Sequence, residues 1–515
     1  MREQGNEPLL LSSSEENETG HHQEQSDGGS WIRRTWTETK KIWQIAGPSI
    51  FTRLAMFSMT LITQSFAGHL GDLDLAAISI ATTVIIAISF GFLLGMASAL
   101  ETLCGQAYGA KQYHMLGIYM QCSWVVLFLG SVLLLPLFVF ATPILKLTGQ
   151  SAEIAELSGV VAMWLIPMHL SFMFQFTLLR FLQCQLKMAV IAWVSGGALA
   201  VHVFVSWLFV YWLRVGIVGT ALTLDFSWWV SVLGLFGYIV CGGCPHSWTG
   251  FSNQAFVGLW EFLKLSVASG IMLSLENFYY RVLIIVSGMM MNNTEVAVNA
   301  LSICIAIYGW ESMIPLGFFA ATGVRVANEL GAGNAKAAKF ATIMSVLTSL
   351  VVGIFCWSMI MAFPDKLAMI FTSSTSVIAM VDELAVLLAL TILINCIQPV
   401  LSGKRTKRCP ILQAKCKCNN IIIRPFAISS GVAVGCGWQG LAACINMGSY
   451  YIIGVPLGLI LGCLLPFGIK GIWAGMIGGT VVQTSILAII IISCKWENEA
   501  QKARFHMANQ ALPSY

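Results

Sequence analysis

Two stretches decide the fold: GMASALETLCGQAYGA at residues 95–110 and GFFAATGVRVANELGAG at residues 317–333. Gly95 aligns with Gly317, and Gly109-Ala110 aligns with Gly331-Ala332, both at an offset of 222 residues. Ala46 and Ala268 keep the same offset. A chain that repeats itself at this spacing is built from two related halves. Both copies are rich in Gly and Ala, and small side chains let helices approach closely.

Further along, the offset changes. GIVG at Gly216 to Gly219 matches GIKG at Gly468 to Gly471, now 252 residues apart. The second half has therefore gained about 30 residues between these markers. The gain is placed at KRTKRCPILQAKCKCNNIIIRPFAISS, residues 404–430, which holds seven Lys/Arg and no acid. Two readings compete for this segment. One is a basic loop in which Cys409, Cys416 and Cys418 could bind a metal, or whose Lys and Arg could bind anionic lipid. The other, which we favour, is retained intron sequence and hence a non-native insertion at 404–431. Codons at Gly403-Lys404 can spell a GT donor, and codons at Ser430-Gly431 can spell an AG acceptor.

Outward from the repeat, twelve apolar runs of spanning length are read at about 43–67, 73–100, 118–142, 157–180, 188–212, 215–241, 262–288, 296–322, 339–363, 376–402, 441–465 and 469–494. About 20 apolar residues cross a bilayer as a helix. The runs are continuous rather than alternating, which excludes a barrel. The 515 residues are 57% hydrophobic and only 10% charged, with mean hydropathy +0.78. That excludes a soluble domain, a disordered chain and a nucleic-acid binder. The expected fold is an all-α integral membrane protein of twelve transmembrane helices in two pseudo-symmetric six-helix bundles. The expected division is a polar tail at 1–42, an N-lobe at 43–241, an inter-lobe loop at 242–261, a C-lobe at 262–494 and a tail at 495–515.

The charges that remain are informative by position. Outside 404–431, the termini and even-numbered connections hold fourteen Lys/Arg, among them Lys111, Arg180 and Arg325, while the odd-numbered connections hold four. By the positive-inside rule, both termini and the inter-lobe loop are cytosolic. The formal net charge of +4 depends on the extra segment, since without it 21 Lys+Arg stand against 24 Asp+Glu.

Ionisable groups inside membrane helices are functional candidates by default. Glu276, in SLENFYYRV, sits near the middle of its run, with Tyr279 and Tyr280 three and four residues on, flanking the same face. Burial disfavours the charged form of a carboxylate, which suits such a group to exchange a proton. The competing reading is a structural glutamate, although Arg281, five residues away, is poorly placed to pair with it. Asp225 and Glu311 are the other deep carboxylates, each either lining a cavity or pairing with a neighbouring helix. Glu101 reads as a conformational or capping group. Asn395 and Gln398 set two amides on one face, for substrate hydroxyls or for hydrogen bonds between helices.

Several motifs carry little. Cys241 and Cys244 supply two of the four ligands of a structural zinc. His69 and Asp74 show an acyltransferase-like spacing in a Gly-flanked turn. Asn292 opens a glycosylation sequon. No metal site or cofactor is expected. No P-loop motif is present, so an ATP-driven pump is not supported and an ion gradient is the expected energy source. The fifteen cysteines lie mostly in apolar runs, where thiols act as small hydrophobes.

FAGHLGDLDLAAIS, ALETLCGQAYGA, RFLQCQ, GVRVANELGAGN and, across the gap, QPVLSG with GVAVGCGWQ together resemble the plant branch of the multidrug and toxic compound extrusion (MATE, or DETOXIFICATION) family, over about 40–494. The resemblance implies two six-helix bundles facing each other in a V. It also implies antiport of drugs or metabolites driven by H+, with Na+ as the second choice, in a membrane protein that is not an enzyme. Glu276 matches the family's C-lobe carboxylate. The partner carboxylate of many plant members falls at Asn395, where asparagine is usual in the vacuolar flavonoid-carrier subgroup. The N-lobe aspartate of bacterial relatives falls at Thr63. Flavonoid glycosides or related phenolics are then the implied solutes, and aromatics such as Phe278, Trp228 and Trp229 could stack on them. The tonoplast is the implied membrane, in keeping with EPLLL at Glu7, and the plasma membrane is the alternative. The expected partners are the bilayer and a small organic solute, with no nucleic acid, and the chain is expected to be a monomer. Two further functions stand beside this one: a lipid-linked precursor flippase of the same superfamily, and a membrane-embedded acyltransferase.

Overall fold

The computed structural model describes residues 27–256, 258–290, 295–372, 374–397, 439–465, 467–493 and 496–511. The extra segment at 404–431, Asn292 and Gln398 lie outside them. All regular structure among the described residues is helical.

The N-lobe comprises α1 (Asp27–Gly68), α2 (Asp72–Gly109), α3 (Tyr113–Val139), α4 (Ala152–Trp164), α5 (Ile166–Cys184), α6 (Met188–Trp212) and α7 (Ile217–Gly243). The C-lobe comprises α8 (Leu259–Met290), α9 (Glu295–Gly331), α10 (Ala335–Ala362), α11 (Thr375–Ile397), α12 (Gly440–Gly462) and α13 (Gly468–Ser493). Among the described residues, ten helices are long and apolar enough to cross a membrane, or eleven when the bent α4–α5 pair counts as one span. Helix α8, 32 residues long, has the reach to cross as well, although Glu276, Asn277 and Arg281 make it more polar. A final helix, α14 (Trp496–Ala511), buries Trp496, Ala500 and Ala503 against α9 and α10. That i, i+4, i+7 stripe is what docks an amphipathic helix.

The run at 157–180 is not one straight helix. It breaks at Leu165, and the two pieces meet at 48°. Pro167 stands in the first turn of α5, where its missing N–H costs no hydrogen bond. The helices also outrun the apolar stretches: α2 continues to Gly109 and α9 to Gly331, so Glu101, Arg180 and Arg325 all lie within helices.

The internal repeat is visible in backbone detail. After α2, the amides of Ala110, Lys111 and Gln112 donate to the carbonyls of Gln106, Tyr108 and Ala107. After α9, the amides of Ala332, Gly333 and Asn334 donate to the carbonyls of Asn328, Leu330 and Glu329, each 222 residues on. Lys111 (φ 62°) and Gly333 (φ 76°) share the left-handed turn that ends both helices. The 252-residue offset also has a structural counterpart. Wide π-helical turns at Trp207–Trp212 and Ile460–Leu464 precede Gly216 (φ 74°) and Gly468 (φ 53°), which start the last helix of each lobe.

The lobes meet through reciprocal glycine contacts. A Cβ at Gly95 would strike the backbone of Ser269 and Gly270, while one at Gly317 would strike Ile50. A Cβ at Gly109 would strike the carbonyl of Asn328, and one at Gly331 would strike the carbonyl of Gln106. Asn328 is Gln106 shifted by 222, so this last pair is a pseudo-two-fold contact. It closes the end of the molecule where α2 and α9 terminate, called here the packed end.

Candidate functional site

Glu276 is half-buried and lies midway along α8. Six residues before it, Gly270 crosses Gly95 of α2, so the helix that carries the carboxylate is also a contact helix between lobes. On its other side α8 is held by α12 and α13. Asn446 Nδ2 donates to the carbonyl of Met272 at 3.2 Å, and the Tyr451 hydroxyl donates to the carbonyl of Leu275 at 2.9 Å. Gln483 Nε2 donates to Asn446 Oδ1 at 2.8 Å, and the Tyr450 hydroxyl donates to Gln483 Oε1 at 2.9 Å. Tyr279 is fully buried and stacks on Tyr450 with ring centroids 4.2 Å apart, and its hydroxyl donates to the Met476 carbonyl. The α8 backbone just before Glu276 is thus held by the Asn446 amide and the Tyr451 phenol of α12, and three residues after Glu276 the Tyr279 hydroxyl anchors α8 to α13. Tyr280 lies in α8, but its side chain is outside the described residues.

The other sequence candidates fall elsewhere. Asn395 is buried on α11, next to Cys396, whose thiol donates to Glu311 Oε1 of α9 at 3.2 Å. Ser349 donates to the Cys396 carbonyl at 2.7 Å, so Glu311 and Asn395 belong to the α9–α10–α11 junction. Helix α8 packs instead on α2, α3, α12 and α13. Asp225 accepts the amide of Met168 at 2.9 Å, in the first turn of α5. It caps the helix that starts at the 48° break, and the Trp229 indole donates to the Pro167 carbonyl beside it. Phe278 is exposed and Trp228 is buried among Phe90, Phe172 and Phe176. His69 is exposed and bonded to the Ser65 carbonyl. Cys241 and Cys244 are free thiols, and no group of three or more His, Cys, Asp and Glu among the described residues is placed to hold a metal.

Three buried polar assemblies were not legible in the sequence. Arg180 Nη1 lies 2.5 Å from Glu101 Oε2, with both side chains wholly buried. Arg180 also donates to Gln183 Oε1 at 3.1 Å. Arg180 is therefore not a loop charge. Arg325 is not one either: it donates through Nε and Nη2 to Glu38 Oε1 of the other lobe at 3.0 and 2.6 Å, and to Glu329 Oε1 at 2.8 Å. Near this bridge Asn328 Nδ2 donates to the Cys184 carbonyl, again across the lobes. The third assembly surrounds His202 in α6. Its presence inside an apolar run was the one available signal.

A family model described as MatE matches residues 48–208 and 268–404. The second match stops where the extra basic segment begins. The chain is 57% identical to Protein DETOXIFICATION 27 of Arabidopsis thaliana over 94% of this chain and 93% of that protein. It is 54% identical to Protein DETOXIFICATION 26 of the same plant, with the same coverage. The crystal structure of the eukaryotic MATE transporter AtDTX14 superposes with a TM-score of 0.82 at 31% identity, covering 92% of this chain and 99% of that one. The bent form of the Vibrio cholerae MATE transporter VcmN superposes with a TM-score of 0.69 at 17% identity, covering 92% and 99%, a likeness of fold.

Proposed function

The chain belongs to the MatE family of multi-pass membrane transporters, and from that premise we propose that it is a proton-coupled antiporter that moves organic solutes out of the cytosol. It is a transporter and not an enzyme, so the acyltransferase reading is set aside. The observation that carries the proposal is the position of Glu276, a half-buried carboxylate midway along α8, six residues from the Gly95–Gly270 crossing. A proton arriving there removes a charge from the helix that joins the lobes, and burial makes the two protonation states differ in packing energy. Proton binding then favours one arrangement of the lobes and proton loss the other, which is the differential interaction that coupling requires. The excess of Lys and Arg at the termini and even connections supports a cytosolic side for the packed end.

The solutes we assign are xenobiotics or secondary metabolites, flavonoid glycosides first among them, and the membrane we assign is the tonoplast. Asparagine at position 395 and the EPLLL tail support this choice. The test is uptake of a radiolabelled quercetin glucoside into proteoliposomes under an imposed pH gradient. Glu276→Gln should abolish gradient-driven uptake while His69→Ala retains it. Full uptake by the Glu276→Gln protein would reject this proton site.

A further inference from the structure

His202 is fully buried in α6, and both of its ring nitrogens meet hydroxyls. Nδ1 lies 2.9 Å from Ser227 Oγ and 3.3 Å from the Thr223 carbonyl. Ser227 Oγ itself donates to the Thr223 carbonyl at 2.6 Å. Its single proton is thereby used, so Ser227 and the carbonyl can only accept from the ring. In that arrangement Nδ1 carries the ring hydrogen, and Nε2 holds the lone pair of the neutral ring. Nε2 lies 3.1 Å from Thr63 Oγ1 of α1 and 3.4 Å from Ser206 Oγ. Thr63 Oγ1 is also 3.0 Å from the carbonyl of Met59, one turn back on its own helix. The threonine has one proton and two places to send it. Directed at Nε2, it serves a neutral ring. Directed at Met59, it leaves its lone pair for an Nε2–H.

We propose that His202 is a proton-binding site in the N-lobe, and that Thr63 is the hydroxyl that reverses its hydrogen bond when the proton arrives. The proton adds to the Nε2 lone pair, the Thr63 O–H turns from Nε2 to the Met59 carbonyl, and Ser206 Oγ, 3.4 Å from Nε2, is left to face it as an acceptor. Both ring nitrogens stay hydrogen-bonded in both states. That arrangement offsets much of the cost of a buried charge, which is prohibitive for a group left without partners. A structural histidine needs only one of these arrangements.

No other charge competes for the ring on the helices packed against α6, which are α1, α7 and α5. On α7, Asp225 is committed to the Met168 amide and Tyr238 lies beside Lys187. On α5, His169 faces the Ser131 carbonyl and Arg180 is paired with Glu101. On α1, Arg53 is ten residues from Thr63, about 15 Å along the helix, and His69 points to Ser65; the remaining charges lie still further towards the start of the helix.

The role of this site in transport rests on the proton-coupled reading above, whereas proton binding itself can be read without any solute. The test is a difference titration of the purified full-length chain between about pH 7.5 and about pH 5, the range in which histidine changes charge. His202→Gln, which can still hydrogen-bond but cannot be charged, should take up about one proton fewer than the unaltered protein. Thr63→Val keeps the side-chain shape and should weaken that proton's binding about tenfold. Equal uptake by the unaltered and His202→Gln proteins would overturn the proposal, as would a folded Thr63→Val protein with an unchanged titration. Gradient-driven uptake of the quercetin glucoside is measured in parallel, where His202→Gln should lose at least fivefold. Absence of any gradient-driven uptake by the unaltered protein would defeat the antiport reading, while the titration would still decide His202.

Discussion

At the 222-residue offset, Glu101 of α2 stands where α9 has Gly323, and Leu103 stands where α9 has Arg325. The backbones of these helices end in the same turn and cross the other lobe through matching glycines. Their charges, however, are used in opposite directions. Glu101 turns into its own lobe and locks α2 to α5 through Arg180, with both groups wholly buried. Arg325 turns out of its lobe and reaches Glu38 of α1. Glu101 and Arg180 thus hold the N-lobe to itself, whereas Arg325 of the C-lobe holds the two lobes together through Glu38. The two arrangements of the lobes proposed above call for a stiff unit and a breakable contact, and this division of charges would supply both.

The strongest way to break this comparison is to cut the internal lock. Arg180→Ala leaves Glu101 buried and unpaired, which costs about 3–5 kcal/mol. We expect a large loss of folded protein, measured as thermal unfolding in detergent. Replacing both partners by apolar residues, Glu101→Leu with Arg180→Met, should restore most of that stability, because it leaves no stranded charge. A single variant as stable as the unaltered chain would show that the pair is not the lock proposed.

The glycine contacts test the symmetry itself. A Cβ at Gly109 or Gly331 meets a backbone carbonyl that has little room to move. Gly109→Ala and Gly331→Ala should each disfavour the packed end by about 3 kcal/mol, the upper end of overpacking costs. Distances between spin labels placed across that end, read by pulsed electron resonance, should lengthen equally in both variants. Unequal shifts would mean that the two contacts are only superficially alike.

Much of this design could be read before any coordinates. The all-helical membrane fold and the offset of 222 follow from apolar composition and Gly/Ala spacing, because both are properties of local sequence. The 48° bend at Leu165 was signalled only by Ile166-Pro167, inside a run that is otherwise unbroken. Glu276 was legible as a mid-run carboxylate. Asp225 was legible only as a deep acid, since its partner is a backbone amide 57 residues away and backbone partners leave no sequence trace. Arg180 and Arg325 were miscounted as loop charges because the helices extend past their apolar cores. The His202 cluster escaped because Thr63, Ser206 and Ser227 are ordinary in any helix until tertiary packing gathers them.

Breaking the external bridge should have a smaller effect than the glycine substitutions and should be seen in conformation more than in stability. Arg325→Ala removes charge-assisted hydrogen bonds worth about 2 kcal/mol. The packed end should open part of the time, which would lengthen the same spin-label distances without lowering the unfolding temperature as far as Arg180→Ala does. Exchanging the charges, Glu38→Arg with Arg325→Glu, should close it again in part, although Glu329 and Lys41, which now flank the bridge favourably, would each face a like charge.

The smallest effect separates a cap from a site. Asp225 is a deep carboxylate, and if its charge took part in transport then Asp225→Asn would fail as Glu276→Gln is expected to. The geometry argues otherwise: one oxygen accepts the Met168 amide at the start of α5, and an asparagine carbonyl can do the same. Asp225→Asn should therefore keep gradient-driven uptake and stability, while Asp225→Ala should lose about 1 kcal/mol, the usual cost of a lost helix cap. Loss of uptake in the asparagine variant, with stability intact, would assign Asp225 to transport and give the N-lobe a charge that does more than hold it rigid.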